Sequence, residues 1–581
     1  MPFVRLLVIS SLLGFAGSRS FAFAPPEIPS TDTHAEICPR PKASSTVPEP
    51  MDLRAENGVL TVDFAFRSDI DAYGRRRYCY IYKDSVESPN LRINPGDLLV
   101  LRLKNELPSA PTATGTHPNT NKAGDPCLRS QMNGSSTNLH FHGLMVPPVC
   151  HQDDVLHTSI QPTDAPFEYR IRIPPDQPPG LYWYHPHLHG LTRAQVVGGA
   201  SGALIIEGIE RANHEVAGLP ERVIVIRDED LLNPNAPPSA NAQKAPSLTL
   251  DRDGDASNTA DGSGTPAKDL SLNFVSVPYP AYQPATIRMR ASERQFWRIV
   301  NASSITYLNL QLLFAQKPQA LGVVAVDGSP VNDNGQGGNY ALWQSHLGVP
   351  PGGRIEFIVK APPEGTIATL ITRSVNTGPA GENDPTRALL NIVISPDALE
   401  PISSLPVLPA AATKVATAKP SPLPWLGSVT PIRTRKLYFS EKPQNPTDPN
   451  SPTNFYLTVE GQSPTLFDPS SSVPNIVVQQ GDVEDWIIEN RSQELHDFHI
   501  HQVHFVMLEW FGIRINEPFL RDTIPVPFWD GKAAQYPTVR LRMDFRDANA
   551  VGVFPFHCHL LEHEDGGMMG LIRVEPAKNT P

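Results

Sequence analysis

Leu91–Leu103 reads LRINPGDLLVLRL, Ala285–Val300 reads ATIRMRASERQFWRIV and Pro474–Ile488 reads PNIVVQQGDVEDWII. In each phrase two short alternating runs flank a polar break, and the first and third breaks contain Gly-Asp. Alternation at period two puts one face of a strand in a core, so each phrase predicts strand, turn, strand. Each phrase lies in a longer stretch of short alternating strands. The expectation is one β-sandwich unit used three times, with a repeat far longer than any solenoid period.

Working outward, 581 residues exceed what one core supports and suggest about three or four domains. The 62 prolines are about twice the usual share of roughly 5%. Proline is hostile to helix interiors and central strands but accepted in loops and at sheet edges, which points to an all-β chain with long loops. The expected organisation is sandwiches at 50–212, 213–395 and 432–577. A Pro-, Ala-, Ser- and Thr-rich linker at 396–431 joins the last two. A polar stretch at 233–268 contains DRDGD at Asp251–Asp255, which lacks the glycine and closing glutamate of a calcium loop and reads as a surface loop.

The net charge of -12 is spread along the chain, with no basic stripe to neutralise phosphates, so nucleic acid is excluded as an expected partner. The balance slightly favours cationic or neutral small substrates. At the N-terminus, Arg5, the apolar run Leu6–Phe15 and small residues at Ala22 and Ala24 predict a signal peptide at 1–22 and an exported, secreted or periplasmic protein. The run is shorter than the roughly 20 residues that span a bilayer, so no membrane anchor is expected. Five cysteines follow: Cys38, Cys79, Cys127, Cys150 and Cys558. Cys558 lies in a histidine cluster, which leaves four for two disulfides; Cys38–Cys79 with Cys127–Cys150 is preferred among three pairings that the sequence leaves open.

Eight of the 18 histidines form four His-x-His pairs: His140/His142, His185/His187, His499/His501 and His557/His559. Residues two apart on a strand share a face, so each pair offers two imidazoles to one metal cluster. Cys558, between His557 and His559, then points to the opposite face, and one tripeptide serves two sites. His496, Cys558 and His563 supply two imidazoles and a thiolate, with Met568 ten residues beyond the cysteine. Two His, one Cys and a weak axial Met make the blue-copper set; a zinc site would be closed with four ligands and would leave the other histidines without a role.

NLHFHG (Asn138–Gly143), WYHPHLHG (Trp183–Gly190), HDFHIH (His496–His501) and HCHLLEHEDGGMM (His557–Met569) resemble the four copper motifs of the multicopper oxidases, and the resemblance covers nearly the whole mature chain. It implies three consecutive cupredoxin-like Greek-key sandwiches, with a trinuclear cluster between the first and third. It implies four copper ions: type 1 held by His496, Cys558, His563 and axial Met568, with Met569 the less favoured alternative. Type 2 would be held by His140 and His499, and the type 3 pair by His142, His185, His187, His501, His557 and His559. By the same resemblance Glu564 is a proton-relay carboxylate, and Asp153 or its neighbour Asp154 is the acidic residue near the oxygen path. His189 and His504 match no ligand position and are read as packing or supporting residues. The implied activity is laccase-like. Phenols or aromatic amines lose electrons singly, through Cys558, and dioxygen is reduced to water. The rivals are a ferrous or cuprous metallo-oxidase and a copper-binding or assembly protein without turnover. With nine methionines and no cluster beyond Met568-Met569, a cuprous oxidase with a methionine-rich cover is disfavoured. A monomer is the expected state.

Overall fold

In the computed structural model the described residues are 36–109, 125–128, 132–233, 235, 264–332, 340–399, 401–408, 423–448, 451–515 and 517–578. The expected signal peptide, DRDGD and the middle of the linker lie outside them. Six large sheets carry the fold, and they pair into sandwiches. The first sandwich joins a sheet in the order Asp52–Arg54, Asn90–Ile93, Gly202–Ile206, Gly180–His185, His140–His142 to one ordered Val86–Glu87, Arg76–Tyr82, Val59–Ile70, Leu98–Asn105, Phe167–Arg172. The second is built from strands between Glu221 and Ile394, and the third from strands between Arg433 and Glu575. The chain is therefore all-β and cupredoxin-like, repeated three times.

Each of the three phrases is strand, turn, strand, but its two strands never pair with each other. Asn90–Ile93 lies in one sheet and Leu98–Asn105 in the facing sheet; Ala285–Met289 and Arg294–Asn301 divide likewise, as do Ile476–Gln479 and Val483–Asn490. The Gly-Asp turn is thus an arch across the sandwich edge. Gly96 and Gly481 at these turns have φ of 87° and 102°, a region where a Cβ is strained.

Alternation fills the space between the sheets. In Val59–Ile70 the residues Leu60, Val62, Phe64 and Phe66 are buried and pack with Leu99, Leu101, Tyr169 and Ile171. Trp297 and Phe357 occupy the second core, and Trp486, Phe498 and Phe556 the third. Each fully buried side chain of this size contributes about 1.5–3 kcal/mol. A smaller cluster of Leu181, Trp183, Ala203 and Ile205 with Val223, Val225, Val300 and Ala302 joins the first sandwich to the second. The first and third meet where the short helix Thr192–Val197 reaches Leu561–Asp565, with Thr192 N–H donating to Asp565. Both preferred disulfides are present, Cys38–Cys79 and Cys127–Cys150, and among the described residues Cys558 alone is a free thiol.

Candidate metal centre

His140–His142 is the edge strand of its sheet, paired with Gly180–His185 so that His140 faces His185 and His142 faces Trp183. In the third sandwich His496–Ile500 pairs with Gly552–Cys558, setting His499 opposite His557 and Phe498 opposite Cys558. Period two does the rest. Phe141 and Phe498 enter their cores, while the flanking histidines face outward to the junction of the first and third sandwiches. There all eight imidazoles of the His-x-His pairs converge, each at most 3% exposed. His140 stacks on His501 and His142 on His499, with ring centroids 3.9 Å apart in each case. His187, His501 and His557 form one group able to hold a metal ion; His140, His142 and His185 form another, and His140, His499 and His501 a third.

The ring nitrogens show what the cluster is built for. His140 Nδ1–H donates to Asp153 at 3.0 Å, His185 Nδ1–H to Pro186 O at 2.9 Å, and His499 Nδ1–H to Asp522 O at 2.9 Å. His142 presents its Nε2–H to Asp522 Oδ1 at 3.2 Å. Each of these rings is thereby fixed in one tautomer, leaving a lone pair on the other nitrogen. Those nitrogens, His140 Nε2, His142 Nδ1, His185 Nε2 and His499 Nε2, are buried with no hydrogen-bond partner among the described residues, as are both nitrogens of His559. An unsatisfied buried polar atom costs about 1–3 kcal/mol, so so many at one place require a ligand. His557 Nε2 lies 3.3 Å from His187 Nε2 and 3.2 Å from His501 Nε2. Two nitrogens each about 2.0–2.1 Å from one first-row ion lie about 3.3 Å apart at a tetrahedral angle. Burial, and then the neighbouring imidazoles, push His142, His187, His501 and His559 well below the ordinary histidine value; burial lowers His557 to about 3. Neutral imidazole is the metal-binding form.

The second site lies on the other side of the same strand. Cys558 Sγ is 3.6 Å from His496 Nδ1 and 3.8 Å from His563 Nδ1, and the two nitrogens are 3.2 Å apart. All three residues are fully buried. Burial pushes the Cys558 thiol well up, so a bound cation is what makes a thiolate here. Met568 is fully buried and tied to the same loop, its N–H donating to His563 O and its carbonyl accepting from Cys558 N–H; Met569 is 4% exposed. Phe455 stacks on His563 at 4.1 Å.

Of the two adjacent aspartates, Asp153 reaches the cluster. It also accepts from Phe141 N–H at 3.0 Å and from Gln502 Nε2 at 2.6 Å, whereas Asp154 holds His157. Glu564 is fully buried, 3.3 Å from His557 Nδ1 and 3.6 Å from His187 Nε2, and accepts from Thr192 Oγ1 at 2.9 Å. Burial, and next the charge of Asp565, raise its carboxyl well above the usual range. His189 packs edge-on against Phe467, and His504 sits 3.6 Å from Asp522.

Sequence reasoning missed four residues. Asp522 and Arg354 form a buried pair at 2.5 Å beside His142 and His499. Glu441 Oε1 is 3.0 Å from His496 Nε2, and Glu494 Oε1 is 3.3 Å from His563 Nε2. None of the four lies in a motif, and the only cue is that Asp522 directly precedes a short strand, Thr523–Val526.

Residues 446–578 match one family model described as multicopper oxidase, and residues 130–211 match a second of the same description. The chain is similar to the multicopper oxidase mco of Staphylococcus haemolyticus (strain JCSC1435), 23% identical over 499 residues that cover 85% of this chain and 83% of the relative. It is similar also to the laccase of Bacillus subtilis (strain 168), 22% identical with 84% and 88% covered. Among solved structures, a multicopper oxidase from Campylobacter jejuni described as a metallo-oxidase superposes with a TM-score of 0.61 at 23% identity, covering 92% of this chain and 96% of its own.

Proposed function

Since this chain belongs to the multicopper oxidase family, and is thereby a copper-dependent oxidoreductase that uses dioxygen and a reducing substrate, we propose that it holds four copper ions and takes its electrons from a small divalent cation such as ferrous ion. His496, Cys558, His563 and Met568 would hold the type 1 ion. His140 and His499 would hold type 2, and His142, His185, His187, His501, His557 and His559 the type 3 pair. Copper so bound supplies one-electron acceptance at the first site and four-electron, four-proton reduction of dioxygen to water at the second.

The observation that carries the choice of reductant is the pair of carboxylates on the outer imidazole nitrogens, Glu441 on His496 and Glu494 on His563. Both imidazoles are fully buried, so a bulky organic donor has no ring edge to touch, while the Glu441 side chain is 18% exposed. Carboxylate oxygens suit divalent ions better than the soft cuprous ion, which prefers sulfur. The remaining work falls to side chains already in place. Asp153 fixes His140 with Nε2 inward, Cys558 links the two sites through its bonded neighbours, and Glu564 holds a proton beside His187 and His557.

A second reading keeps laccase-type oxidation of phenols or aromatic amines, because a carboxylate at the outer imidazole accepts the proton that such donors shed on oxidation. We further propose export to an oxidising compartment, supported by the two disulfides. The test is a steady-state comparison of ferrous ion, cuprous ion, a phenol and an aromatic amine on copper-loaded wild type, Glu441→Gln and Glu494→Gln. The cation reading expects ferrous ion to lead and its kcat/KM to fall about tenfold or more in the variants, on the order of a supporting-residue loss. Phenol turnover faster than ferrous turnover, and slowed by Glu441→Gln, selects the laccase reading; no oxygen consumption with any donor selects a copper carrier.

A further inference from the structure

No candidate ligand falls between 213 and 395, yet the second sandwich touches the imidazole cluster at two points. Gly352, with φ of 77°, lies so close to His559 that a Cβ there would stand 2.7 Å from its Nε2. Two residues on, Arg354 begins the strand Arg354–Lys360 and points its guanidinium into the junction of all three sandwiches. Its Nη1 and Nη2 donate to Asp522 Oδ1 and Oδ2 at 2.6 and 2.5 Å; Nε donates to Leu181 O at 3.3 Å, and Nη1 also to Gly352 O at 3.2 Å. Arg354 is fully buried and Asp522 1% exposed.

Asp522 in turn serves two rings of different roles. Its side chain accepts from His142 Nε2–H and its backbone carbonyl from His499 Nδ1–H. Those two contacts aim His142 Nδ1 and His499 Nε2 at the cluster, and both atoms are among the unpartnered buried nitrogens. The first His-x-His motif makes room for the pair. Gly143, with φ of 89°, would with a Cβ meet Arg354 Nη2 at 2.5 Å and Asp522 Oδ2 at 2.8 Å.

We infer that Arg354, from the sandwich that supplies no ligand, is a positioning residue for the copper cluster, holding Asp522 so that His142 and His499 each present one fixed nitrogen. The inference rests on the copper-oxidase reading. A fork of two parallel N–H donors fixes a carboxylate in rotation as well as in distance, which a lysine ammonium does not. The expected defect is therefore specific: loss of hold on type 2 copper, for which His499 is one of two protein ligands, with the type 1 site unaffected.

The experiment prepares wild type, Arg354→Lys, Arg354→Met and Asp522→Asn without metal, reloads each with copper, and follows two readouts during challenge with a chelator. The thiolate-to-copper absorption reports the type 1 site and the integrity of the third sandwich; the paramagnetic resonance of type 2 copper reports the cluster. The expected result is an unchanged type 1 band and a type 2 affinity lowered about 10- to 100-fold in Arg354→Met, as is usual for a lost supporting contact, with Arg354→Lys in between. Should Arg354→Met fail to fold, Arg354→Lys and Asp522→Asn carry the comparison. Wild-type chelator resistance of the type 2 signal in both of these overturns the inference. A wild type that takes up no copper overturns the reading beneath it instead.

Discussion

His187 and His557 stand 370 residues apart in the chain, and their Nε2 atoms lie 3.3 Å apart at the junction of the first and third sandwiches. Neither nitrogen can donate to the other when both rings are neutral with Nδ1–H, the form that His557 adopts by donating to Cys558 O at 2.9 Å. An ion between the two nitrogens would take both lone pairs at once, and contacts of this kind are what fit the cluster to a metal.

Cys558→Ser is expected to abolish the thiolate-to-copper band and substrate oxidation while the eight cluster imidazoles still take up copper, because Sγ belongs to the His496–His563 site alone. Copper analysis with optical spectra checks this. A variant that keeps its intense visible band refutes the type 1 assignment.

The axial position is tested by potential. Met568→Leu should raise the reduction potential of the type 1 site and Met568→Gln should lower it, since a stronger axial donor stabilises the oxidised ion. Redox titration of both variants is sufficient. If neither moves, the neighbouring Met569 or another group occupies that position.

Glu564→Gln preserves shape and the hydrogen bond from Thr192 but carries no transferable proton. Copper content and anaerobic reduction by substrate should survive, while turnover in air falls by about 10²-fold, the low end of a positioned acid's contribution. Stopped-flow reoxidation at the wild-type rate removes Glu564 from any relay and turns attention to Asp153.

Removing the Cys127–Cys150 bridge, which closes a 23-residue separation around His140 and His142, should cost about 3 kcal/mol by the loop-entropy relation. Denaturant unfolding of Cys127→Ser/Cys150→Ser measures the loss. Equal stability of variant and oxidised wild type means the loop is held by packing alone.

The metal-free protein should lose stability as pH falls below about 6.5. Its folded state keeps His142, His185, His187, His499, His501, His557 and His559 neutral, with values depressed by burial first, while the unfolded chain protonates them. Below the unfolded value the unfolded state binds more protons, so each such group removes about 1.4 kcal/mol per pH unit until its folded value is reached. A denaturation midpoint that stays flat from about pH 7 to 5 contradicts this account of neutral, ligand-ready rings.

What was legible in the sequence is what depends on neighbours along the chain. Alternation in the three strand-turn-strand phrases specified strands, because a period of two is a local property. His-x-His pairs and Cys558 between His557 and His559 specified two faces for the same reason. The partner sheets were not legible. Leu91 pairs with Leu53 and Leu204, while Leu99, on the same phrase, pairs with Leu60 and Ile171 in the facing sheet.

Asp153 and Asp154 are adjacent and chemically identical in sequence, and only the turn after the first motif sends one to His140 and the other to His157. Arg354 and Asp522, 168 residues apart, and Glu441 and Glu494 beside the His496 and His563 imidazoles carry no motif at all. The sequence by itself determined which side chains could gather as metal ligands, since ligand type and strand periodicity are written in consecutive residues. Only the tertiary structure decided which groups orient those side chains and which carboxylates stand behind His496 and His563, since such contacts exist only once distant segments have closed on one another.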